Sequence, residues 1–531
     1  MSTASYNQIS NSKVVSVEEA VKNIPSNASI TIGGLISILC PEKVLAALEE
    51  RFLTEDEPKN LSVITPVRVG WDPKRRTGLE HFAHKGMLKR LISGSFHIKE
   101  NQKVAGMIRN NEIEAYNFSM GTLFQLIRSI AGGHPGLLTK AGLHTYVDPR
   151  YDGGKLNEHT KDELVRLLEI DGDEHLFYPS FPIDVAIIRG TTADESGNIT
   201  LEEEPATLSG LEMAMAAKAN GGYVIVQVKR VTGKNTLHPR SVEIPGILVD
   251  AIVIDEEQKQ SLLPDYNPSW TGEIKQPISQ LKKHLPLDAK KVILRRAAKE
   301  IVPGAIVNLG VGIPVDLPQL ALEGDFFKEI TFSLEHGAIG GVPMGVEVFG
   351  AHNNPEAFVT SPQIFDFYQA GGLSATFLGF AQIDGSGNVN VSKFNGIYRG
   401  SGGFIDITHK TPKIIFCGTL TSGGLKVSVE EGKIKIKNEG RYKKFIQSIE
   451  HMTFNANQAL KKGQEILYIT ERCVFRLEEK GLVLIEHAPG IDVKKDILSN
   501  VDCEITISSN LKLMEPSLFM ESKNEVLMER V

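Results

Sequence analysis

Apolar and polar positions follow the same order in two distant stretches of the chain. From Ser16 the sequence SVEEAVKNIPSNASITIGG places Ser16 and Glu19 at capping-box spacing, breaks at Pro25, then runs through a β-branched Ser29 to Ile32 into Gly33 and Gly34. The next run, CPEKVLAALEERF, spaces Val44, Leu45, Leu48 and Phe52 along one helical face, with Pro41 suited to the first turn. LSVITP then predicts a strand. Strand, glycine turn, helix and strand together predict a parallel βαβ unit.

Residues 287–335 repeat that order as helix, proline break, strand, glycine turn, helix and strand. Ile24-Pro25 matches Val302-Pro303, and the Gly33-Gly34 turn matches the turn carrying Gly310 and Gly312. Later in each half, DESGNIT (194–200) and DGSGNVN (384–390) share one form, which predicts a turn between two strands. The 531 residues exceed what a single core usually supports. These patterns predict two related open α/β domains with mixed or parallel sheets, produced by an internal duplication. Some 161 residues separate Gly33 from Asp194 but only 74 separate Gly310 from Asp384, a surplus of about 87 in the first half. The surplus is expected at about 80–180, as a lid, an oligomer contact or a substrate-facing subdomain. A polar, proline-bearing stretch, DEEQKQSLLPDYNPSWTGEIKQPISQLKK, reads as a linker or arm, giving domains at 1–285 and 286–531.

The candidate chemistry lies at 329–345, EITFSLEHGAIGGVPMG. Its apolar run suits a buried strand ending at Glu335, and ligands of open α/β sheets bind beyond the carboxyl ends of strands. Gly337, Gly340 and Gly341 allow a second backbone to approach. Aligning LSVITP with ITFSLE sets Pro66 opposite Glu335, so the second half alone carries the carboxylate. By residue type, Glu335 is a solvated strand-end carboxylate or a nucleophile that attacks an activated acyl carbon without a general base. The adjacent His336 reads as a structural or solvent-facing imidazole.

The turn NLGVGIPVDLP admits three readings. Gly310-x-Gly312 after a strand, with an acidic residue at the end of the next strand, approaches a dinucleotide fingerprint, although Val315 stands at the third glycine position. It also suits a tight structural turn, or a loop whose N–H groups face a thioester or its phosphate-bearing carrier. Further on, Gly400, Gly402 and Gly403 expose backbone before FIDI, and Lys393 and Arg399 are candidates to reach phosphates. Cys417, inside the apolar KIIFCGTL, reads as an inert core thiol.

Composition narrows the classes. A net charge of -7 and a pI near 6.1 argue against a nucleic-acid partner while leaving room for a local basic pocket. Four cysteines without CxxC spacing fit a reducing compartment and no zinc site. The N-terminus, MSTASYNQISNSK, has no apolar leader core, and no uninterrupted apolar run approaches about 18 residues. The expectation is a cytoplasmic protein, neither secreted nor inserted in a membrane.

The stretches SLEHGAIGGVP, LGVGIP, GSGNVNVSKFNG and GSGGFIDI resemble the family I coenzyme A transferases, most closely the single-chain bacterial acetate or propionate members that look like fused α and β subunits. The resemblance implies that Glu335 is a nucleophile forming a glutamyl-CoA thioester in a ping-pong reaction. It further implies that Gly310, Val311, Gly312, Asn388, Gly402 and Gly403 line the CoA and acyl pocket or supply oxyanion N–H groups. Leu334-Glu335-His336-Gly337 departs here from the Ser-Glu-Asn-Gly form of related two-chain enzymes. Implied too are acyl-CoA and short-chain carboxylates as partners, CoA as substrate and covalent intermediate, no metal and no tightly bound cofactor, and a homo-oligomer up to a tetramer. Rival readings are an acyl-CoA hydrolase on the same scaffold, an NAD-binding protein using the Gly-x-Gly turn, and a silent interaction subunit.

Overall fold

A computed structural model describes residues 12–96, 103–263 and 265–521. The leader reading concerns residues that, up to position 11, lie outside these. The capping box forms as its spacing predicts. Ser16 accepts from the Glu19 amide, and the Glu19 side chain accepts from the Ser16 amide, starting helix α1 (Val17–Lys22). The amphipathic run becomes α2 (Glu42–Glu55), with Val44, Leu45, Leu48 and Phe52 buried.

The first half is built on a seven-stranded sheet. Its strands are β1 (Ser29–Ile32), β2 (Leu61–Thr65), β3 (Leu88–Ser93), β4 (Glu114–Asn117), β5 (Val185–Arg189), β6 (Tyr223–Val228) and β7 (Ala251–Ile254), in the spatial order β7-β6-β5-β1-β2-β3-β4. Every neighbouring pair is parallel. The second half carries an eight-stranded sheet. Its strands are β8 (Ala305–Leu309), β9 (Ile330–Phe332), β10 (Ala375–Leu378), β11 (Lys413–Cys417), β12 (Glu465–Ile469), β13 (Cys473–Glu478), β14 (Gly481–His487) and β15 (Thr506–Leu513), in the order β9-β8-β10-β11-β12-β13-β14-β15. The first five of that order are parallel, whereas β13 pairs antiparallel with both its neighbours.

Duplication is visible in this topology. Read from β2, the first sheet runs β2-β1-β5-β6-β7, and the second runs β9-β8-β10-β11-β12, the same order of chain segments. The two related turns are also the same object. Asp194 accepts from the Asn198 amide and side chain, both at 2.9 Å, and Asp384 accepts from the Asn388 amide and side chain, both at 3.0 Å. Each sits between two short antiparallel strands.

The surplus of the first half has several parts. It lengthens the sheet by β3 and β4, supplies helix α3 (Met120–Ala131), and adds a three-stranded antiparallel sheet of Gly136–Thr139, Arg166–Ile170 and Asp173–Pro179. The stretch read as a linker or arm is docked on the second half. Trp270 is buried with Val348 and Ala351, and its indole N–H donates to Asn353 Oδ1 at 3.1 Å, because a large aromatic in a polar stretch gains most by burying its ring with its N–H partnered.

A single apolar cluster joins the halves: Leu35, Ile38, Val67, Met120 and Phe124 of the first pack with the second-half core of Leu309, Phe332, Phe365 and Phe404. The seam is therefore continuous hydrophobic interior. Among the described residues no helix is long and apolar enough to cross a membrane.

Candidate active site

Glu335 stands just past the end of β9. The predicted strand to Leu334 stops earlier, at Phe332, because the chain turns back on itself: the Leu334 amide donates to the Ala338 carbonyl at 3.3 Å and the Gly337 amide to the Leu334 carbonyl at 3.1 Å. Gly337 makes this turn possible. It has φ +98°, and a Cβ there would lie 1.9 Å from the Val359 carbonyl oxygen. The second backbone anticipated beside these glycines is thus that of Val359.

The carboxylate is not solvated; Glu335 is 7% exposed. Its polar partner comes from the neighbouring strand β8. Asn308 Nδ2 donates to Glu335 Oε2 and to the Ser333 carbonyl, each at 3.2 Å, while Thr376 Oγ1 on β10 donates to Asn308 Oδ1 at 3.2 Å. Three adjacent strands thereby orient one amide onto one carboxylate. Ser333 also shares a hydrogen bond of 2.7 Å with the Tyr368 hydroxyl on helix α4 (Ser361–Gln369). Burial pushes the Glu335 carboxyl up to about 7, the Asn308 hydrogen bond opposes that rise, and the charge of Asp406 adds to it. The carboxyl therefore holds its proton to a higher pH than a solvated glutamate does, in a water-poor setting.

His336 points away from acid–base work. It is buried edge-on against Phe349, with ring centres 5.2 Å apart, and burial pushes it down to about 3. His352, driven down to about 4 by burial, donates from Nδ1 to the Gly340 carbonyl at 2.7 Å. Both imidazoles are neutral structural groups. Among the described residues no group of three or more His, Cys, Asp or Glu side chains is arranged to hold a metal ion.

Comparison with known proteins accords with this geometry. A family model described as Coenzyme A transferase matches residues 14–255. Caffeate CoA-transferase of Acetobacterium woodii is 41% identical over 518 residues, covering 96% of this chain and 98% of its own. Acetate CoA-transferase YdiF of Escherichia coli strain K12 is 42% identical over 511 residues, covering 96% and 95%. The chain belongs to the coenzyme A transferase family. A solved structure of the acyl-CoA transferase YdiF from E. coli O157:H7, a thioester complex with CoA, superposes with a TM-score of 0.91 at 40% identity and covers 98% of each chain. The reaction of this transferase is accordingly movement of CoA, and the duplicated α/β fold is that of the family.

Within the transferase the other sequence-derived candidates fall into three groups. Gly310, Val311 and Gly312 follow directly on β8, two to four residues past Asn308; the Gly310 amide donates to the Phe377 carbonyl at 2.8 Å, and Val311 is 51% exposed. This turn stands at the same sheet end as Glu335 and faces solvent. Gly402 and Gly403 form a seam loop instead. The Gly402 amide donates to the Gly94 carbonyl at 2.8 Å, so it is not a free oxyanion donor, and its own carbonyl accepts from Met120 at 2.8 Å.

Asn388 sits in the turn between two short strands that its motif predicts. Its Nδ2 binds Asp384 and its Oδ1 accepts from the Ala456 amide at 2.9 Å, so the amide is used within the turn, as in the equivalent Asn198. Both polar atoms of this side chain are thus engaged in closing and anchoring the turn. Lys393 and Arg399 are held on the rings of Tyr398 and Phe394, at 5.4 and 5.6 Å. Cys417 lies in β11 with burial raising its thiol, as its apolar run suggests.

The reading of the chain missed Asn308, Tyr368 and Asp406. Two of them carried a signal, a polar residue inside an apolar run: Asn308 in AIVNLG and Asp406 in FIDI. Tyr368 carried none that distinguishes it from a core aromatic.

Proposed function

We propose that this chain moves CoA between a short-chain acyl-CoA and a carboxylate acceptor such as acetate, with Glu335 as the covalent nucleophile. The observation that carries the reading is a buried carboxylate at a strand end, destabilised as an anion by its surroundings yet held by one directed amide. A desolvated anion of raised basicity is a stronger nucleophile than a hydrated one. Support for the substrate class comes from relatives named as acetate and caffeate CoA-transferases, and support for a covalent thioester from the relative solved as such a complex with CoA.

Ionised Glu335 attacks the acyl carbon of the donor and expels CoA thiolate, leaving an acyl-glutamyl anhydride. The thiolate then attacks the Glu335 carbonyl carbon and expels the donor acid as a carboxylate, so the enzyme holds CoA as a thioester. An acceptor carboxylate reverses both steps. No net bond energy is lost, because one thioester replaces another. The Gly310–Gly312 turn, beside Asn308, is the backbone best placed to frame the CoA thioester arm, and burial of Glu335 limits hydrolysis by water. We place the division between halves near residue 285, supported by the sheets, which end at Ile254 and resume at Ala305. Assembly as a homo-oligomer rests on family resemblance and is tested by light scattering.

Incubation of the full chain with acetyl-CoA or propionyl-CoA, followed by intact and peptide mass spectrometry, tests the chemistry. A CoA-sized addition on the Glu335 peptide, discharged by acetate and absent in Glu335→Ala, is the expected result. Release of free CoA with no addition at any time would instead identify a hydrolase.

A further inference from the structure

We propose that Asp406 is a positioning residue for the transfer reaction: reaching across the seam, it caps helix α3 of the first half and locks it to the helix that steadies the Glu335 strand. This rests on the reading of Glu335 as nucleophile.

Helix α3 begins with Ser119 at its N-cap, but that side chain does not cap its own helix. Instead, Ser119 Oγ donates to Asp406 Oδ2, and the Gly121 amide donates to the same oxygen at 2.8 Å. The Met120 amide is taken by the Gly402 carbonyl. The first turn of a first-half helix is thus satisfied by the second half, where helix ends otherwise leave amides without partners. Asp406 Oδ1 accepts from Gln369 Nε2 at 2.9 Å. Gln369 ends α4, and the preceding Tyr368 holds Ser333, two residues before Glu335.

The fit tolerates no addition. A Cβ on Gly121 would lie 2.5 Å from the Phe365 ring and 2.6 Å from the Asp406 carboxyl carbon. Farther along the same two helices, Arg128 binds both oxygens of Asp366, at 2.5 and 3.0 Å. That pair is exposed, whereas Asp406 is fully buried.

Both carboxylate oxygens are used, one by Ser119 and Gly121 of the first half and the other by Gln369 of the second, whereas a neutral amide has a single acceptor oxygen and cannot bridge the two. The titratable groups that feel Asp406 are Glu335, Tyr146 and Tyr178. Those around Glu335 are Asp406, Tyr368 and the neutral His336, with Asn308 as its amide donor. Asp406 is itself pushed up to about 6 by burial, and its donors oppose that rise. Above that pH its anion raises the basicity of Glu335. One side chain therefore joins the halves and stands on the hydrogen-bonded path to the Glu335 strand.

The test is single-turnover thioester formation by full-length Asp406→Asn between pH 5.5 and 8.5, read by quench and mass spectrometry, with thermal unfolding alongside. Thioester formation at least about tenfold slower is expected from misplacement of the nucleophile. The acid limb should move down as the neighbouring anion is removed. An unchanged rate, or a slower rate with the limb unmoved, would overturn the tuning role and leave an ordinary cap.

Two further variants keep the test decisive if Asp406→Asn does not fold. Ser119→Ala removes one donor and is expected to slow thioester formation about threefold, so wild-type behaviour there overturns the proposal. Gly121→Ala displaces the contact but retains the charge, and should slow the step without moving the limb downward; a downward shift of the limb in this variant would overturn the assignment to charge. A thioester found on Glu335→Gln would instead refute the nucleophile reading, whatever Asp406 does.

Discussion

In the first half β2 leaves its sheet into Pro66, and in the second half β9 leaves its sheet toward Glu335. The strand registers make these equivalent points. Ile30 pairs with Val63 and Val307 with Phe332, while the Gly33 and Gly310 amides donate to the matching carbonyls of Ile187 and Phe377. Counting three residues on from Val63 and Phe332 reaches Pro66 and Glu335. The same registers pair Thr31 with Ala186 and Asn308 with Thr376, which makes Thr31 the counterpart of Asn308 and Ala186 that of Thr376.

The polar network is therefore a feature of one copy. In the second half Thr376 orients Asn308, and Asn308 holds Glu335; in the first, the Thr31 hydroxyl is buried without a partner and Ala186 has nothing to donate. Beside Gly33 and Gly34 there remains a cavity of about 30 Å³, lined by Leu39, Leu208 and Glu212 among others, room for about one or two waters. The comparison teaches that the duplicated sheet is a common holder, with Pro66, Thr31 and Ala186 of the first half standing where the second has Glu335, Asn308 and Thr376.

The comparison breaks most sharply at Glu335. Glu335→Ala should abolish transfer, and Glu335→Asp, which draws the attacking oxygen back by about 1 Å, should lose about a hundredfold in kcat. A near-normal rate in the Asp variant would remove the distinction between the halves.

The stability of the two ends should differ next. Between its ordinary value of 4.5 and about 7, folded Glu335 binds a proton that the unfolded chain has released. Stability from this residue is therefore present at low pH and lost as pH rises from about 4.5 to 7. Glu335→Gln should stabilise the protein at pH 8, by at most about 3 kcal/mol, with the gain vanishing near pH 4.5. Denaturant titrations at the two pH values check this, and a gain that is equal at both would refute it.

A smaller effect is expected when the second half is given the first half's residue. Asn308→Thr removes a hydrogen bond to a charged group, worth about 1.5 kcal/mol or more, so about a tenfold loss in kcat is expected. Its acid limb should move upward, because that bond favours the anion, whereas Thr31→Asn should leave the rate within about twofold. Equal responses of the two sites would show that the network is not specific to one half.

Finally, Asp194→Ala and Asp384→Ala should behave alike. Each should lose about 1–2 kcal/mol of stability by opening its turn, with thioester formation per folded molecule unchanged. A rate loss confined to Asp384→Ala would restore a ligand role to the Asn388 turn.

The capping box, the proline breaks and the paired Asp–Asn turns were legible in the chain because each depends on residues within about five positions. The duplication followed from their order, and Glu335 from its place at the end of an apolar run beside glycines. Its burial was not legible. A glutamate on a strand end is usually solvated, and the amide that holds this buried one, Asn308 on β8, stands 27 residues earlier in the chain. For Asn388 the sequence setting indicated a turn between two strands and the family resemblance a place in the pocket lining; that its amide oxygen is taken by Ala456, 68 residues on, only the fold shows.

By itself the sequence determined the βαβ order, the repeat and the family, and it singled out Glu335, since local propensities and motif spacing act along the chain. Only the tertiary structure decided the protonation balance of Glu335, the orientation of Asn308, the docking of the 255–283 stretch and the cross-seam cap by Asp406. Those depend on desolvation and on hydrogen-bond geometry between segments far apart in sequence, where distances of a few ångströms set the sign and size of each effect.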